Sequence, residues 1–334
     1  MAREILTTLV GSYPIPAWLA AFPTEQSLHD ALAVVLQTQE LAGIDVLTDG
    51  ELYRFDVNHP ETNGMIDYFI RRLAGVRSVI GRKDEDKFRA VAHMEFRSKP
   101  AGIVEGQLGD GTLNLPRDFQ RSRALTRRPL KFTLTSPYML ARTLLDTHYK
   151  GMQALTTAIA DVLSGQVADI DADIVQVDEA NLSGKPEDGP WVAEALNHIF
   201  DATKKKAALH LCFGNYGGQS IQKGHWSKLI AFVNACHIDH VVAETAFRGP
   251  AELPAFKDLR PEIGLGLGVI DVKRTTVETP DDIARAIEAA EKAIGPGRVT
   301  YIHPDCGLWM LHRSIADAKI AALAKGRDLF LANR

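Results

Sequence analysis

Eight short apolar runs, each followed by a longer segment with helical spacing, restrict the fold of this 334-residue chain more than any other feature. Each run ends in polar or charged residues, and each later segment repeats apolar residues at every third or fourth position. The runs cover residues 6–12, 46–51, 132–136, 174–179, 207–214, 240–246, 263–271 and 299–306. Alternation at this count favours an α/β fold of the closed (β/α)8 type, a TIM barrel, over an open sheet.

The segments between the runs carry helix signals. They include residues 27–42, 138–163, 191–205, 280–294 and 314–328. Several begin with proline or with a capping residue such as Thr279. The run at 263–271 is apolar almost throughout, which is typical of a strand buried on both faces of a parallel sheet.

One stretch, residues 76–128, interrupts this rhythm because it is too long for a βα connection. It is rich in Arg and Lys, and residues 88–97 alternate between apolar and polar. We therefore predict a β-rich insertion near residues 76–128, lying over the barrel mouth. Its charges favour a solvated surface, with a docking face for an anionic donor as the alternative. Because no repeat, low-complexity tract or linker occurs, we expect residues 1–334 to form one domain.

Net charge and cysteine content limit the classes of molecule that this protein is expected to bind. A net charge of −4 argues against nucleic acid, because phosphate binding needs a basic surface. No apolar stretch approaches the length of a membrane span. Three cysteines are too few for a disulfide framework in a chain of this size, so a reducing cytoplasm is expected. We expect small-molecule partners.

Four side chains with metal-binding groups occur at the ends of three runs. His210 and Cys212 are two residues apart on a strand and therefore leave the same face. Glu244 lies near the end of the next run and Cys306 ends the eighth. Zn²⁺ binds thiolate, imidazole and carboxylate, and barrel active sites gather at this end of the strands. We predict a zinc site here, against the alternative of inert thiols and an acid paired with Arg248.

Neighbouring residues have simpler expected roles. Cys236 lies in a helical stretch among packing residues and is expected to be structural. His303 and Asp305 flank Cys306 and are expected to orient a ligand, as partners of metal ligands usually do.

A second group of polar residues follows earlier runs, with Gly11 and Ser12 after the first, Glu51 after the second and Asp178 after the fourth. Acids beside a cation suggest a second metal or acid–base catalysis. For a thiol substrate with an α-ammonium group, Glu51 and Asp178 would hold the ammonium. Backbone amides near Ser12 would hold the α-carboxylate. Helix capping by Ser12 or Asp178 is the alternative.

Motifs along the whole chain resemble the cobalamin-independent methionine synthase family, specifically its catalytic C-terminal half. Thr-Thr-Leu-Val-Gly-Ser-Tyr-Pro is similar to the opening of that half, and Val-Gln-Val-Asp-Glu-Ala-Asn-Leu to its central acidic motif. His-Leu-Cys, Ala-Glu-Thr and His-Pro-Asp-Cys-Gly-Leu resemble its zinc motifs in order and spacing. The remaining matches are residues 43–51 and 65–69.

The resemblance implies a (β/α)8 barrel with Zn²⁺ on His210, Cys212, Glu244 and Cys306. It also implies homocysteine contacts at Ser12, Glu51 and Asp178. The expected activity is zinc-dependent S-methyl transfer to a thiol, with homocysteine giving methionine, as in methionine biosynthesis.

Departures from the family bear on the methyl donor. The family's full-length enzymes use a second, N-terminal barrel to hold polyglutamyl folate, and that donor is therefore not expected here. Asp271-Val272-Lys273 replaces the family's Asp-Ile-His. Lys273 is the candidate that protonates or attracts the leaving group, with an ion pair to Asp271 as the alternative.

Other activities stay open from the sequence. Short relatives of the family include proteins that take methyl from a methylcorrinoid and a branch that adds coenzyme M to epoxides. Candidate donors are thus a methylcorrinoid, free or on a protein, and methyl-folate. Coenzyme M carries a sulfonate that needs cations, whereas Glu51 and Asp178 suit the ammonium of homocysteine. A uroporphyrinogen decarboxylase-like barrel enzyme and a non-catalytic zinc or thiol carrier are the other classes considered.

Overall fold

The computed structural model describes residues 5–56, 63–91, 97–215, 220 and 222–334. The strands in chain order are β1 (Leu6–Thr7), β2 (Leu47–Thr48), β3 (Ala74–Arg77), β4 (Gly102–Gly109), β5 (Leu130–Thr135), β6 (Leu144–Asp146), β7 (Ile174–Glu179), β8 (Lys206–Leu211), β9 (His240–Ala243), β10 (Gly264–Ile270) and β11 (Val299–Pro304).

The α-helices are α1 (Ala17–Ala21), α2 (Glu25–Ala42), α3 (Asp67–Ile70), α4 (Arg82–Val91), α5 (Leu115–Arg123), α6 (Pro137–Arg142), α7 (Met152–Val167), α8 (Gly189–Asp201), α9 (Ile230–Ala235), α10 (Pro280–Ile294) and α11 (Arg313–Ala332). Short 3-10 segments lie at Leu52–Arg54, Leu182–Gly184, Pro186–Asp188, Trp226–Lys228 and Pro250–Asp258. Within the described ranges, we find no helix with the length and apolar character that a bilayer crossing requires.

Eight parallel strands form one sheet that closes on itself. Their order is β1-β11-β10-β9-β8-β7-β5-β2. Parallel bridges from Thr8 to Val46 and from Ser12 to Gly50 join the two ends of this sheet. The predicted (β/α)8 barrel is thereby confirmed, and the carboxyl ends of its strands meet at one rim.

The eight apolar runs all contain or overlap barrel strands. The run at 174–179 coincides with β7, and all seven residues of β10 are buried, as the continuous apolar pattern predicted. The first two runs extend past their two-residue strands, so that Ser12 and Glu51 lie in the turns at the rim.

Helix predictions hold with one correction. α10 spans the predicted residues, and the Thr279 hydroxyl oxygen accepts a hydrogen bond from the Asp282 amide at 3.2 Å, as a capping residue should. The segment 138–163 is wrong as a single helix, because β6 divides it into α6 and α7. β6 pairs with β4, which is distant in sequence. Local periodicity cannot indicate such a pairing.

The insertion supplies β4 and the end of β3 to a second sheet of three strands, in the order β3-β4-β6, and β6 lies beyond residue 128. The insertion also contains α4 and α5, and the alternating stretch predicted at 88–97 is helical over residues 88–91. Phe88 is buried there in a cluster with Ile103 and Leu145, which outweighs the local alternation. Residues 92–96 of that stretch lie outside the described part of the chain.

Charges of the insertion are matched locally. Arg77 bonds both Asp84 and Glu105, and Arg89 lies 3.3 Å from Glu85. These contacts agree with the predicted solvated surface. The position of the insertion over the barrel mouth stays a prediction.

The packing has two layers. The main apolar core lies between the outer faces of the strands and the surrounding helices. A second apolar cluster contains no helix residue, and we therefore place it inside the barrel. Its buried members are Val10, Val46, Ile174, Ala208, Val242 and Tyr301.

Asp45 connects three elements where the barrel closes. Its Oδ2 accepts hydrogen bonds from the amide and the hydroxyl of Thr7, both at 2.8 Å. It also accepts one from Arg327 of α11 at 2.6 Å. Burial opposes the charge on Asp45, but the Thr7 and Arg327 bonds outweigh it and lower its pKa.

We expect Asp45→Asn to lower the free energy of unfolding by about 1–2 kcal/mol at pH 7, since bonds to a charged group are lost. A lowered folded-state pKa gives stability that is present above the unfolded pKa, about 3.9, and is lost as pH falls through the folded pKa. Urea unfolding should therefore show the difference from wild type shrinking below about pH 4.

Asp171→Asn is the matched control, because Asp171 forms only an exposed ion pair with Lys205. A difference for Asp45→Asn that stays constant down to pH 3 would contradict the role given to its charge.

Candidate metal and substrate site

Three of the four predicted metal ligands meet at the barrel rim. The ligand atoms of His210, Cys212 and Cys306 all lie within 4.8 Å of one another. His210 is on β8, Cys212 follows directly after β8, and Cys306 follows β11. Closure of the sheet thus brings together residues almost a hundred positions apart, in a group that can hold a metal ion.

The His210 ring is oriented as a metal ligand needs. Its Nδ1 donates to the carbonyl oxygen of Val242 on β9 at 3.0 Å, and these two residues are register partners. Within the described structure, Nε2 is buried and has no hydrogen-bond partner. A lone pair on Nε2, fixed by a backbone bond at Nδ1, is the usual arrangement of metal-bound histidine.

The two thiols are a coupled pair. A hydrogen bond from Cys212 holds the pKa of Cys306 well below its ordinary value despite burial, and His210 acts in the same direction. Thiol sulfurs beside an imidazole nitrogen fit the donor preference of Zn²⁺.

Glu244 lies just after β9 and is fully buried, but it is outside the group of three. Its Oε1 accepts a hydrogen bond from Lys273 Nζ at 2.6 Å, and its Oε2 accepts one from the Phe213 amide at 2.8 Å. The Lys273 side chain is 1% exposed. An ion pair that is this deeply buried is tolerated in the folded protein only because each charge compensates the other.

This pair corrects two alternatives drawn from the sequence. Arg248 pairs with Glu252, not with Glu244. Lys273 does not form the considered ion pair with Asp271; only its backbone amide bonds that carboxylate, at 2.8 Å. Asp271 instead lies 3.3 Å from Arg274.

Asp305 holds the backbone that follows Glu244. Its two oxygens accept hydrogen bonds from the amides of Thr245, Ala246 and Phe247 at 2.7–2.8 Å. Burial, with the charge of Glu244, raises the pKa of Asp305 to about 7, although these amides act against the shift. A Cβ at Gly268 would lie 2.1 Å from Asp305 Oδ1, so only glycine fits there.

The other residues flanking the site behave differently. Nδ1 of His303 hydrogen-bonds the carbonyl oxygen of its neighbour Pro304 at 2.8 Å, which gives no support to the expectation that it orients a ligand. Burial lowers the pKa of His303 to about 3. Cys236 is fully buried in the main core, which agrees with the structural role predicted for it.

The Gly11-Ser12 turn contacts both Glu51 and the loop that carries Cys306. A Cβ at Gly11 would lie 2.2 Å from Glu51 Oε1, so the Glu51 side chain crosses directly over this glycine. A Cβ at Gly307 would lie 2.0 Å from Ser12 Oγ, and the Leu308 amide donates to the Ser12 carbonyl oxygen at 2.9 Å. The loop that carries Cys306 therefore packs on Ser12.

Glu51 adopts an unusual backbone conformation, with φ at 59°. Its Oε1 accepts a hydrogen bond from the Thr133 hydroxyl at 2.7 Å, and Arg54 lies 3.1 Å from its Oε2. Left-handed backbone at a residue other than glycine costs about 1 kcal/mol and often occurs at functional sites.

Asp178 lies at the end of β7 and is the register partner of His210. Burial raises its pKa to about 7; His210 acts against this and the charge of Glu51 acts with it. The helix-capping alternative finds no support for either residue in the described helices: Pro16 precedes α1, Asn181 precedes the 3-10 segment Leu182–Gly184, and Asp188 precedes α8.

The sequence patterns did not indicate three buried polar residues of the site, namely Arg54, Lys131 and Gln176. Arg54 follows Glu51 by three residues, and that spacing could have indicated the pair. Lys131 precedes the apolar run predicted from residue 132, although it lies inside β5. Because Lys131 is charged, apolar periodicity could not indicate that it belongs to the strand.

Comparison with known proteins places this geometry in context. Residues 5–327 match the family described as "Cobalamin-independent synthase, Catalytic domain". A methionine synthase of Thermococcus kodakarensis is 29% identical over 344 residues, covering 97% of this chain and 92% of the relative. A methionine synthase of Sulfurisphaera tokodaii is 28% identical, with coverages of 97% and 91%.

A solved structure shares the fold. It is a B12-independent methionine synthase from Shewanella sp. W3-18-1 in complex with selenomethionine, with a TM-score of 0.82 and 24% sequence identity. The match covers 99% of this chain and 98% of that chain. Barrel and insertion are therefore found together in another protein.

We expect purified protein to bind about one Zn²⁺ per chain and Cys306→Ser to retain almost none, because one of three clustered ligands is lost. Metal analysis after dialysis against a weak chelator measures this. Cys236→Ala, a core cysteine outside the group, is the matched control and should keep its zinc. Full occupancy in Cys306→Ser would refute the ligand assignment.

Proposed function

The chain belongs to the cobalamin-independent methionine synthase family, and we propose that it transfers a methyl group to the thiol of homocysteine, giving methionine. The single observation that carries this proposal is the His210, Cys212 and Cys306 group beside the buried Asp178 and the partly buried Glu51. The names of the similar proteins from Thermococcus and Sulfurisphaera support it. We further propose that residues 1–334 act as one catalytic unit in a reducing cytoplasm, where the cysteines stay free.

We assign Zn²⁺ to His210, Cys212 and Cys306, with Glu244 as a fourth, replaceable ligand. Bound there, the ion would supply a substrate thiolate at neutral pH, worth about 2 kcal/mol for a thiol of pKa near 8.5. Lys273 offsets the charge of Glu244 in the buried pair, and Asp305 fixes the backbone after it. Glu244 thus has a counter-ion whether or not it contacts the metal.

Glu51 and Asp178 receive the α-ammonium group in this proposal. Asp178 is next to His210 across the β7–β8 pair, so an amino acid held there has its side-chain thiol close to the three metal ligands. The amides of the Gly11-Ser12 turn serve the α-carboxylate. Orientation of this kind lowers the activation free energy further.

The position of Lys273 bears on the donor. Its ammonium group is buried and bonded to Glu244, and is therefore poorly placed to protonate a departing folate nitrogen. A methylcorrinoid leaves without that proton. We therefore propose a methylcorrinoid as donor in preference to methyl-folate, and a positioning role for Lys273 and Asp271 in place of proton transfer.

Three alternative functions fit these contacts less well. An epoxide:coenzyme M transferase needs free cations for the sulfonate, whereas Arg54 and Lys273 are each paired with an acid. A uroporphyrinogen decarboxylase-like enzyme would have no use for the thiol pair. A zinc or thiol carrier without catalysis would bind homocysteine but form no methionine.

We expect methionine to form from homocysteine with methylcobalamin, and more slowly with methyl-tetrahydrofolate, because Lys273, the candidate proton donor, is bonded to Glu244. Parallel assays with chromatographic detection of methionine measure both rates. Cys306→Ser protein is the control for uncatalysed transfer. Absence of methionine with both donors, from zinc-loaded protein, would contradict the proposed reaction.

We expect Glu51→Gln to weaken homocysteine binding by about tenfold and coenzyme M binding by less than about twofold, because only homocysteine has an ammonium group. Calorimetric titration of zinc-loaded protein measures both. Glu40→Gln removes an acid that bonds Thr126 outside the site and serves as the control. Equal losses for both thiols would remove the basis for preferring an amino acid.

A further inference from the structure

Three buried side chains form a hydrogen-bonded series inside the barrel. Lys131 Nζ donates to Gln176 Oε1 at 2.7 Å, and Gln176 Nε2 donates to Asp178 Oδ1 at 2.6 Å. The three residues are 1%, 0% and 3% exposed. Neither Lys131 nor Gln176 has a role in the function proposed above.

The surroundings of Gln176 allow its amide only one orientation. Nε2 also donates to the carbonyl oxygen of Val10 at 2.8 Å, and a carbonyl oxygen can only accept. The two hydrogens of Nε2 are therefore directed at Val10 and at Asp178. Oε1 must then face Lys131, which supplies the donor that it needs. A flipped amide would place Oε1 against two acceptors, so rotation is opposed at three contacts.

The fixed amide orients Asp178 in turn. Because Oδ1 accepts the hydrogen bond from Gln176, the carboxylate cannot rotate freely, and its Oδ2 is left for a further donor. Glu51 and His210 are the charged or titratable neighbours that act most on Asp178. Without Gln176, Asp178 would lose its side-chain donor in a buried setting, where a charge-assisted bond is strongest.

Folding stability alone does not explain a lysine at position 131. Burial lowers its pKa to about 7, and Asp178 and Glu51 are the negative groups that counteract this effect. An apolar side chain of similar volume would avoid the cost of burying an ammonium group. Its presence is better explained by the orientation that it gives Gln176.

We propose that Gln176, oriented by Lys131 and Val10, is a positioning residue that turns Asp178 toward the α-ammonium group of an amino-acid thiol. This inference rests on the proposed function, in which Asp178 binds that group. It adds a specificity device that lies beneath the substrate and makes no contact with it.

The test uses Gln176→Met, which keeps the length of the side chain and removes both donors. Zinc-loaded protein is titrated by calorimetry with homocysteine and with 4-mercaptobutyrate, which has the same thiol and carboxylate but no amino group. We expect homocysteine binding to weaken by about tenfold and 4-mercaptobutyrate binding to change by less than about twofold. In turnover, KM for homocysteine should rise with kcat nearly unchanged.

Two further variants keep the result interpretable. Lys131→Met should give a smaller loss with the same discrimination between the thiols, because Val10 still holds the amide. Gln166→Met is the matched control, since Gln166 is also buried and bonds Leu115, Asp110 and Leu113, none of which belongs to the site. It should lower stability and affect neither thiol selectively.

The outcomes separate the two proposals. Wild-type protein that binds both thiols equally would overturn ammonium recognition, and with it the proposed function of Asp178. Wild-type preference for homocysteine that persists undiminished in Gln176→Met and Lys131→Met would overturn the positioning role alone. Equal weakening of both thiols in Gln176→Met would also overturn it, because a merely structural defect has that effect.

Discussion

Closure of a sheet in which every strand runs the same way is the constraint on which the rest of this molecule depends. Parallel pairing directs all strand ends to one rim, and the bridge from Ser12 to Gly50 joins the first strand to the second there. Side chains as far apart in sequence as Ser12 and Cys306 thereby meet at one rim. In an open sheet with the same strand order, β1 and β2 would be the two edge strands, and Ser12 and Glu51 would lie far apart.

Burial of charge at this rim is costly, and two of the acids are each compensated by a cation. Glu244 has Lys273, and Glu51 has Arg54. Asp178 has a neutral donor, Gln176, which in the proposed function leaves its charge for the α-ammonium group. Buried polar groups whose hydrogen bonds are made in this way are held in one geometry. The proposed methyl transfer needs such fixed positions for its two reactants.

The incorrect predictions have a common cause. The proposed Lys273–Asp271 pair and the single helix at 138–163 both assumed that neighbours in sequence are partners in space. Lys273 instead reaches a carboxylate 29 residues away, and β6 exists because a strand of the insertion pairs with it. Local pattern reports the conformation of a segment, but the choice of partner depends on which surfaces the packing brings together.

The sequence by itself determined the barrel, its eight strands and the residue types at their ends, because apolar periodicity and turn residues act over a few positions. It also identified His210, Cys212 and Cys306 through their spacing and strand-end locations. Only the tertiary structure decided that Glu244 bonds Lys273 and that Gln176 faces Asp178. Those contacts depend on the register between strands and on the shared interior of the closed barrel, and both arise from packing across the whole chain.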